Sequence, residues 1–401
     1  MCLIHLVCGA FRHQPEEMAA GLSDGARRIM ERCFEDVDPS QRRDYHVHMV
    51  GLGTSNSGMS INRRMLSWLS PLHRLRALAY LSGADVTDES QADQQYADRL
   101  LRLARNIEGR GKLHLLAFDH HYNRDGTVNH EKSNFYTPNE WVFKLAQQHP
   151  DAFAATISVH PYRPDALQEL ERWAKRGARF VKWLPNAHGM DAADERNDDY
   201  YRLMRQYGMI LLTHVGEERA VATAEDQAYG NPLLFRRPLE MGVKVVMAHC
   251  GSLGRNADLD NPGETASSFD LFMRLMDNRR YEGLLFGDIS AMTQVNRLPG
   301  PLMTIVKRRD LHHRLLDGSD YPLPAINIVI QTRALVRHGL ISQDERTHLN
   351  EIYHYNPLLF DYVVKRTLRV PGSGERLSPG VFQANPALES PKLLGGPRLE
   401  F

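Results

Sequence analysis

The stretch RDYHVHMVG, Arg43 to Gly51, places two histidines two residues apart in an apolar run. On an extended strand side chains alternate, which predicts Asp44, His46 and His48 on one face and Tyr45, Val47 and Met49 on the other. Two imidazoles at that spacing can turn two nitrogens toward one divalent ion. His214, His249 and Asp320 each close another apolar run further along the chain. Imidazole nitrogen and carboxylate oxygen are the ligands of a catalytic Zn²⁺ that keeps a position open for water. An H-x-H pair alone is weak evidence of a metal site and reads more readily as a solvent-facing or core pair. Combined with His214, His249 and Asp320, it predicts a metal centre.

Residues so far apart in sequence must be gathered by a fold, and the punctuation suggests which one. Eight short apolar runs recur, at 44–50, 113–118, 153–159, 179–184, 209–214, 243–249, 283–289 and 314–320, with helical periodicity between most of them. Eight βα units predict a (β/α)₈ barrel, whose chemistry sits at the C-terminal ends of its strands. In TPNEWVFKLAQQ, Thr137, Pro138 and Glu140 predict a capping box with proline at the first helical position. RPDALQELERWAKRG is expected to stop at Gly177. The wide gap after the first run predicts a helical insertion over 51–112, and 119–136 reads as a long loop; both are expected to act as lids. The expected organisation is an N-terminal segment (1–42) packed on the barrel, the barrel itself (43–366), and an extended tail (367–401).

Composition narrows the partners. With 49 basic and 49 acidic residues, the charge balance gives no reason to expect nucleic acid or an anionic membrane as a partner. The four cysteines form no CxxC pair, which favours a reducing compartment, and the cytoplasm is the expected location. MCLIHLVCGAF lacks a basic leader and is too short to span a membrane, so it reads as a segment packed on the body. A homo-oligomer acting on a small molecule is expected.

DYHVH, LLTHVGEE, VVMAHCGS and LLDGSDYP resemble motifs of the amidohydrolase superfamily of metal-dependent enzymes. GSDYP and IYHYNPLLF are similar to the amidohydrolase-related branch that also contains aminocarboxymuconate-semialdehyde decarboxylase, and the likeness runs over residues 43–365. The resemblance implies His46, His48, His214 and Asp320 as metal ligands, with Asp320 also handling a proton of metal-bound water. It implies that His249 polarises the substrate or acts as a base, or binds a second ion in two-metal members. Lys182, in RFVKWLP, stands where such members carry a carboxylated lysine bridging two ions. The expectation is one ion, Zn²⁺, with Lys182 binding substrate and a bridged second ion as the alternative.

Other polar residues at strand ends fill out the expected pocket. His160, His120 and Arg219 are candidates for substrate contacts, and Asp119, His121 and Glu217 lie beside them in sequence. Asp288 is expected to orient a ligand histidine by hydrogen bonding. Arg124, Arg163, Arg219, Arg255 and Arg297 each follow a different strand and predict a cationic rim for an anionic substrate. Cys250 reads as a small buried hydrophobe. The function expected is hydrolysis of a small carboxylate-bearing lactone, ester or amide by metal-activated water. The alternatives are non-oxidative decarboxylation of an aromatic or unsaturated carboxylic acid on the same ligands, and a non-catalytic barrel.

Overall fold

The structure is a computed structural model and describes residues 13–67, 71–107, 109, 111–219 and 225–389. The apolar start of the chain and the end of the tail, residues 1–12 and 390–401, lie outside the described residues.

Eight parallel strands form one sheet: β1 (Arg43–His48), β2 (Lys112–Leu116), β3 (Phe153–Ile157), β4 (Phe180–Trp183), β5 (Ile210–His214), β6 (Lys244–Ala248), β7 (Leu285–Asp288) and β8 (Leu315–Leu316). They follow one another in chain order, as successive right-handed βα units require. β8 is two residues long, so closure onto β1 falls to the chain just beyond it. The Tyr45 and His48 N–H groups donate to Asp317 O at 3.0 Å and Tyr321 O at 3.1 Å, and Asp320 N–H donates to His46 O at 2.8 Å. The ring is a TIM barrel. Among the described residues, no helix is long and apolar enough to cross a membrane.

Strand parity places the chemistry. Tyr45, Leu116, Phe180, Ile210, Leu212, Val246, Phe286 and Leu316 pack together as a buried layer drawn from seven of the strands. Two residues further along those strands come Lys182, His214 and Asp288, so the same inward parity that fills the barrel aims these polar groups into its upper end. Strand β1 departs from the alternation expected of it. Its register against β2 shifts between Asp44 and Val47. A bulge there places Tyr45 in the inner layer and leaves Asp44 facing the helix side, where its neighbours are Asp317 and Lys365. Asp44 therefore does not share a face with His46 and His48.

Helices α1 (Asp24–Phe34), α2 (Pro71–Gly83), α3 (Ala92–Arg105), α4 (Asn139–Gln148), α5 (Ala166–Lys175), α6 (Asp198–Gln206), α7 (Ser268–Met276), α8 (Gly300–Lys307), α9 (Gln343–Tyr353) and α10 (Pro357–Thr367) surround the sheet. α5 ends as the sequence predicts, with Gly177 at φ +93°. The capping box expected at α4 does not form. Thr137 is taken by the chain before the helix, donating its hydroxyl to Met49 O at 2.9 Å, so Pro138 is the cap residue and Glu140 pairs with Arg172 instead. Between β1 and β2 the insertion holds α2 and α3 with a short helix, Arg63–Leu66, before them, and Ser60–Ile61 pairs antiparallel with Phe135–Tyr136 of the 119–136 loop.

Candidate metal centre

His46 and His48 end β1 with their Nε2 atoms 3.2 Å apart. Asp320 Oδ1 lies 3.1 Å from His48 Nε2 and 3.5 Å from His46 Nε2. Three ligand atoms thus meet at one point. Asp288 fixes which nitrogen His46 presents. Its Oδ2 is 2.8 Å from His46 Nδ1, and its Oδ1 accepts from the N–H groups of His249 and Ser290 at 2.9 and 3.0 Å. With the Nδ1 proton held by a carboxylate, His46 turns the lone pair of Nε2 toward His48 and Asp320. Gly318 allows this approach, because a Cβ there would lie 2.7 Å from His46 Cβ.

His249 sits beside this trio, with Nε2 3.8 Å from Asp320 Oδ2 and Nδ1 3.0 Å from Ser290 O. Its ring stacks 5.1 Å from that of His46. Both His249 and Asp320 have left-handed backbone, at φ +57° and +58°. Non-glycine residues in that region cost about 1 kcal/mol or more each, and such strain collects at functional sites. Burial pushes His46, His214 and His249 toward the neutral imidazole, the form that can ligate a metal. Burial also pulls the Lys182 ammonium down to about 8, with its Nζ 3.2 Å from His46 Nε2.

His214 faces the same space, its ring 5.2 Å from that of His249. Its Nδ1 lies 3.5 Å from Glu218 Oε2, while its buried Nε2 has no partner among the described residues. A buried imidazole nitrogen left open, opposite a converging His–His–Asp trio, is the donor chemistry a divalent ion satisfies. The residues fit the ion that the sequence implies. We expect His48→Ala to lose its divalent metal while remaining folded, because His48 is at the solvent edge of the trio. Elemental analysis beside a thermal melt checks this, and unchanged metal content would refute the assignment.

The centre opens into a cavity of about 320 Å³, the size of a small-molecule site. Its carbon wall comes from Phe118, Leu184, Leu253 and Val329, together with Tyr80 of the insertion and Phe135 of the 119–136 loop. Lys182, Arg219 and Arg297 also line it. His160 and His120 do not. Both ring nitrogens of His160 are committed within the fold, Nε2 to His188 O at 2.9 Å and Nδ1 to Tyr162 N–H at 3.1 Å. His120 stacks flat on Tyr136 at 3.9 Å. The rim of arginines also thins out. Arg124 pairs with Asp194, Arg163 with Asp119 and Asp165, and Arg255 donates to Thr265 O, so none of these three reaches the cavity. Arg219 reaches it while paired to Glu217 at 2.9 Å. Glu218 and Ser290, both at the centre, were not singled out from the sequence. Ser290 follows Asp288 by two residues, and strand parity carried one step further would have found it.

A family model described as amidohydrolase matches residues 44–358. The chain belongs to the amidohydrolase family. The amidohydrolase is similar in structure to an uncharacterised TIM-barrel protein from Bordetella bronchiseptica, at 16% identity and TM-score 0.46, covering 77% of this chain and 98% of that one. It is similar to a manganese-bound 5-carboxyvanillate decarboxylase from Novosphingobium aromaticivorans, at 12% identity and TM-score 0.40, over 77% and 93% of the two chains. A third likeness is to the apo form of IDCase from Metarhizium anisopliae, at 12% identity and TM-score 0.42, over 76% and 94%. These are distant structural likenesses. No curated protein matches the sequence. The family and the His/Asp cluster make this a metal-dependent enzyme of the amidohydrolase superfamily.

Proposed function

We propose that this amidohydrolase is a non-oxidative decarboxylase of an aromatic or unsaturated carboxylic acid. The observation that carries the reading is the carbon wall of Phe118, Phe135, Tyr80, Leu184 and Leu253 in the cavity that contains His249 and Asp320. A carboxylate becoming carbon dioxide loses its charge, so one set against this carbon wall, away from the cations of the same cavity, is raised relative to the transition state. Hydrolysis of a lactone, ester or amide, the other reading of these ligands, builds an oxyanion and is served by preorganised donors. The aromatic rings of Phe118, Phe135 and Tyr80 in that wall suit the face of an aromatic acid better than a tetrahedral intermediate.

A bound divalent ion, for which we propose a single Zn²⁺ on His46, His48, His214 and Asp320, supplies a Lewis acid that polarises a substrate oxygen. The proton is handled by the chain. His249 Nδ1 is tied to Ser290 O, which leaves Nε2 facing the cavity; burial holds the resting imidazole neutral, and Asp320 Oδ2 3.8 Å away opposes that burial when Nε2 takes up a proton from solvent. His249 gives that proton to the substrate carbon bearing the carboxylate. The C–C bond then breaks, its electron pair stays with the ring or double bond, carbon dioxide leaves, and His249 is reprotonated from solvent. Lys182, with Nζ 3.2 Å from His46 Nε2, contacts a substrate oxygen outside the departing carboxylate.

Panels of hydroxybenzoic acids and of lactones, incubated with the metal-loaded protein, separate the two readings. We expect carbon dioxide and the decarboxylated arene from an acid. Proton release from a lactone with no carbon dioxide from any acid would overturn the proposal in favour of hydrolysis.

A further inference from the structure

Arg297 is 6% exposed and lines the catalytic cavity. Its Nη1 donates to Ser252 Oγ at 2.9 Å, and its Nε is buried with no hydrogen-bond partner among the described residues. Among those residues no carboxylate lies within ion-pair distance of it, in contrast to Arg219, Arg124 and Arg163. Gln294 lies one turn earlier, with Arg297 N–H donating to Gln294 O at 3.0 Å. It too is 6% exposed, lines the cavity, and has a buried Nε2 without a partner. One segment after β7 therefore offers a fixed guanidinium and an amide N–H, both buried and both open.

A buried cation whose carboxylates, Asp320, Glu218 and Asp288, act only from beyond ion-pair distance is only partly compensated, and a buried donor without an acceptor adds to that cost. Both costs vanish when a carboxylate enters, because a guanidinium can meet its two oxygens with two parallel bonds. Which carboxylate this is follows from the chemistry. A guanidinium paired to the departing group would hold the charged reactant more tightly than a transition state that is shedding its charge, and so would slow the reaction. We propose that Arg297 and Gln294 anchor a carboxylate that the reaction leaves in place, so that the substrate is a small planar acid carrying two carboxylates, one lost and one retained. The number of carboxylates rests on the decarboxylase reading; the anchor itself does not.

Calorimetry with isophthalate (benzene-1,3-dicarboxylate) and its neutral diamide, on metal-free protein, tests the anchor apart from turnover. Isophthalate should bind the wild type. Its affinity should fall about 10- to 100-fold in Arg297→Met, less in Arg297→Lys, and by roughly threefold to tenfold in Gln294→Leu. Affinity for the diamide should not depend on Arg297. Without ligand, Arg297→Met should melt close to the wild-type temperature, because the desolvation cost it removes offsets the attraction of Asp320, Glu218 and Asp288 that it also removes. Equal isophthalate affinity in Arg297→Met, or a lowered melting temperature alongside lost binding, would overturn the anchor. Metal-loaded enzyme should release carbon dioxide faster from isophthalic acids than from the matching monocarboxylic acids, and Arg297→Met should erase that preference. Binding that follows Arg297 with no carbon dioxide from any acid would remove decarboxylation and leave the anchor standing. Carbon dioxide from a monocarboxylic acid at a rate indifferent to Arg297→Met would do the reverse.

Discussion

His249→Asn should retain its metal and lose activity by a factor on the order of 10² to 10⁴, the range for a positioned acid or base. The trio of His46, His48 and Asp320 does not need His249 to converge, since their mutual distances of 3.1 to 3.5 Å are set by β1 and by the chain after β8. What His249 contributes is a free Nε2 in the cavity, oriented by Ser290 and by its own left-handed backbone. Asparagine tolerates that backbone better than most residues, which keeps the test from becoming one of folding. The rate of carbon dioxide release and the metal content are measured on the same preparation. A variant that lost its ion would make His249 a ligand, and the two-metal arrangement with a carboxylated Lys182 would return.

The sequence carried the metal centre further than it carried the pocket. His46, His48 and His214 could be picked out because they lie at the ends of their strands, where the period of two and the barrel's fixed active end leave few other places to point, and His249 and Asp320 because they close apolar runs at the same end. Lys182 and Asp288 obey the same parity. His160 and His120 lie three and four residues past their strands on irregular chain, where, as for Asp320, only local contacts decide direction, and theirs turn them away from the cavity. There His160 is consumed by backbone groups of 162 and 188, which no periodicity predicts. The arginines show the same limit, since pairing with local carboxylates such as Asp194 and Asp165 decides which one stays open, and those contacts depend on loop geometry. The bulge in β1 was invisible as well. Alternation placed Asp44 beside the histidines, and a single register shift moved it into a different buried cluster.

That cluster makes Lys365→Met the most damaging change away from the catalytic cavity, with an expected loss of about 3–5 kcal/mol in unfolding free energy. Lys365, on α10, is 1% exposed, and its Nζ lies 3.0 Å from Asp317 Oδ1, 2.6 Å from Gly318 O and 2.5 Å from Asp361 Oδ2. Asp44 completes the group, accepting from Ser319 N–H at 2.8 Å and from His46 N–H at 3.1 Å. One ammonium thus ties α10 to the segment that closes the barrel and carries Asp320. Removing it leaves three buried carboxyls with much less compensation. Burial already pushes Asp44 up to about 6 and Asp361 up to about 7, above the ordinary value near 4 of an unfolded chain. Groups raised in this way stabilise the fold fully below about pH 4, and that contribution is lost as pH rises through 6 to 7. Lys365 opposes the rise in both residues, so its removal should leave a protein that is much weaker at pH 8 and partly rescued at pH 5.5, where the carboxyls take up protons. Denaturant unfolding at the two pH values measures this. A loss below about 1 kcal/mol at pH 8, or one no smaller at pH 5.5, would mean that the ion cluster does not hold the closure.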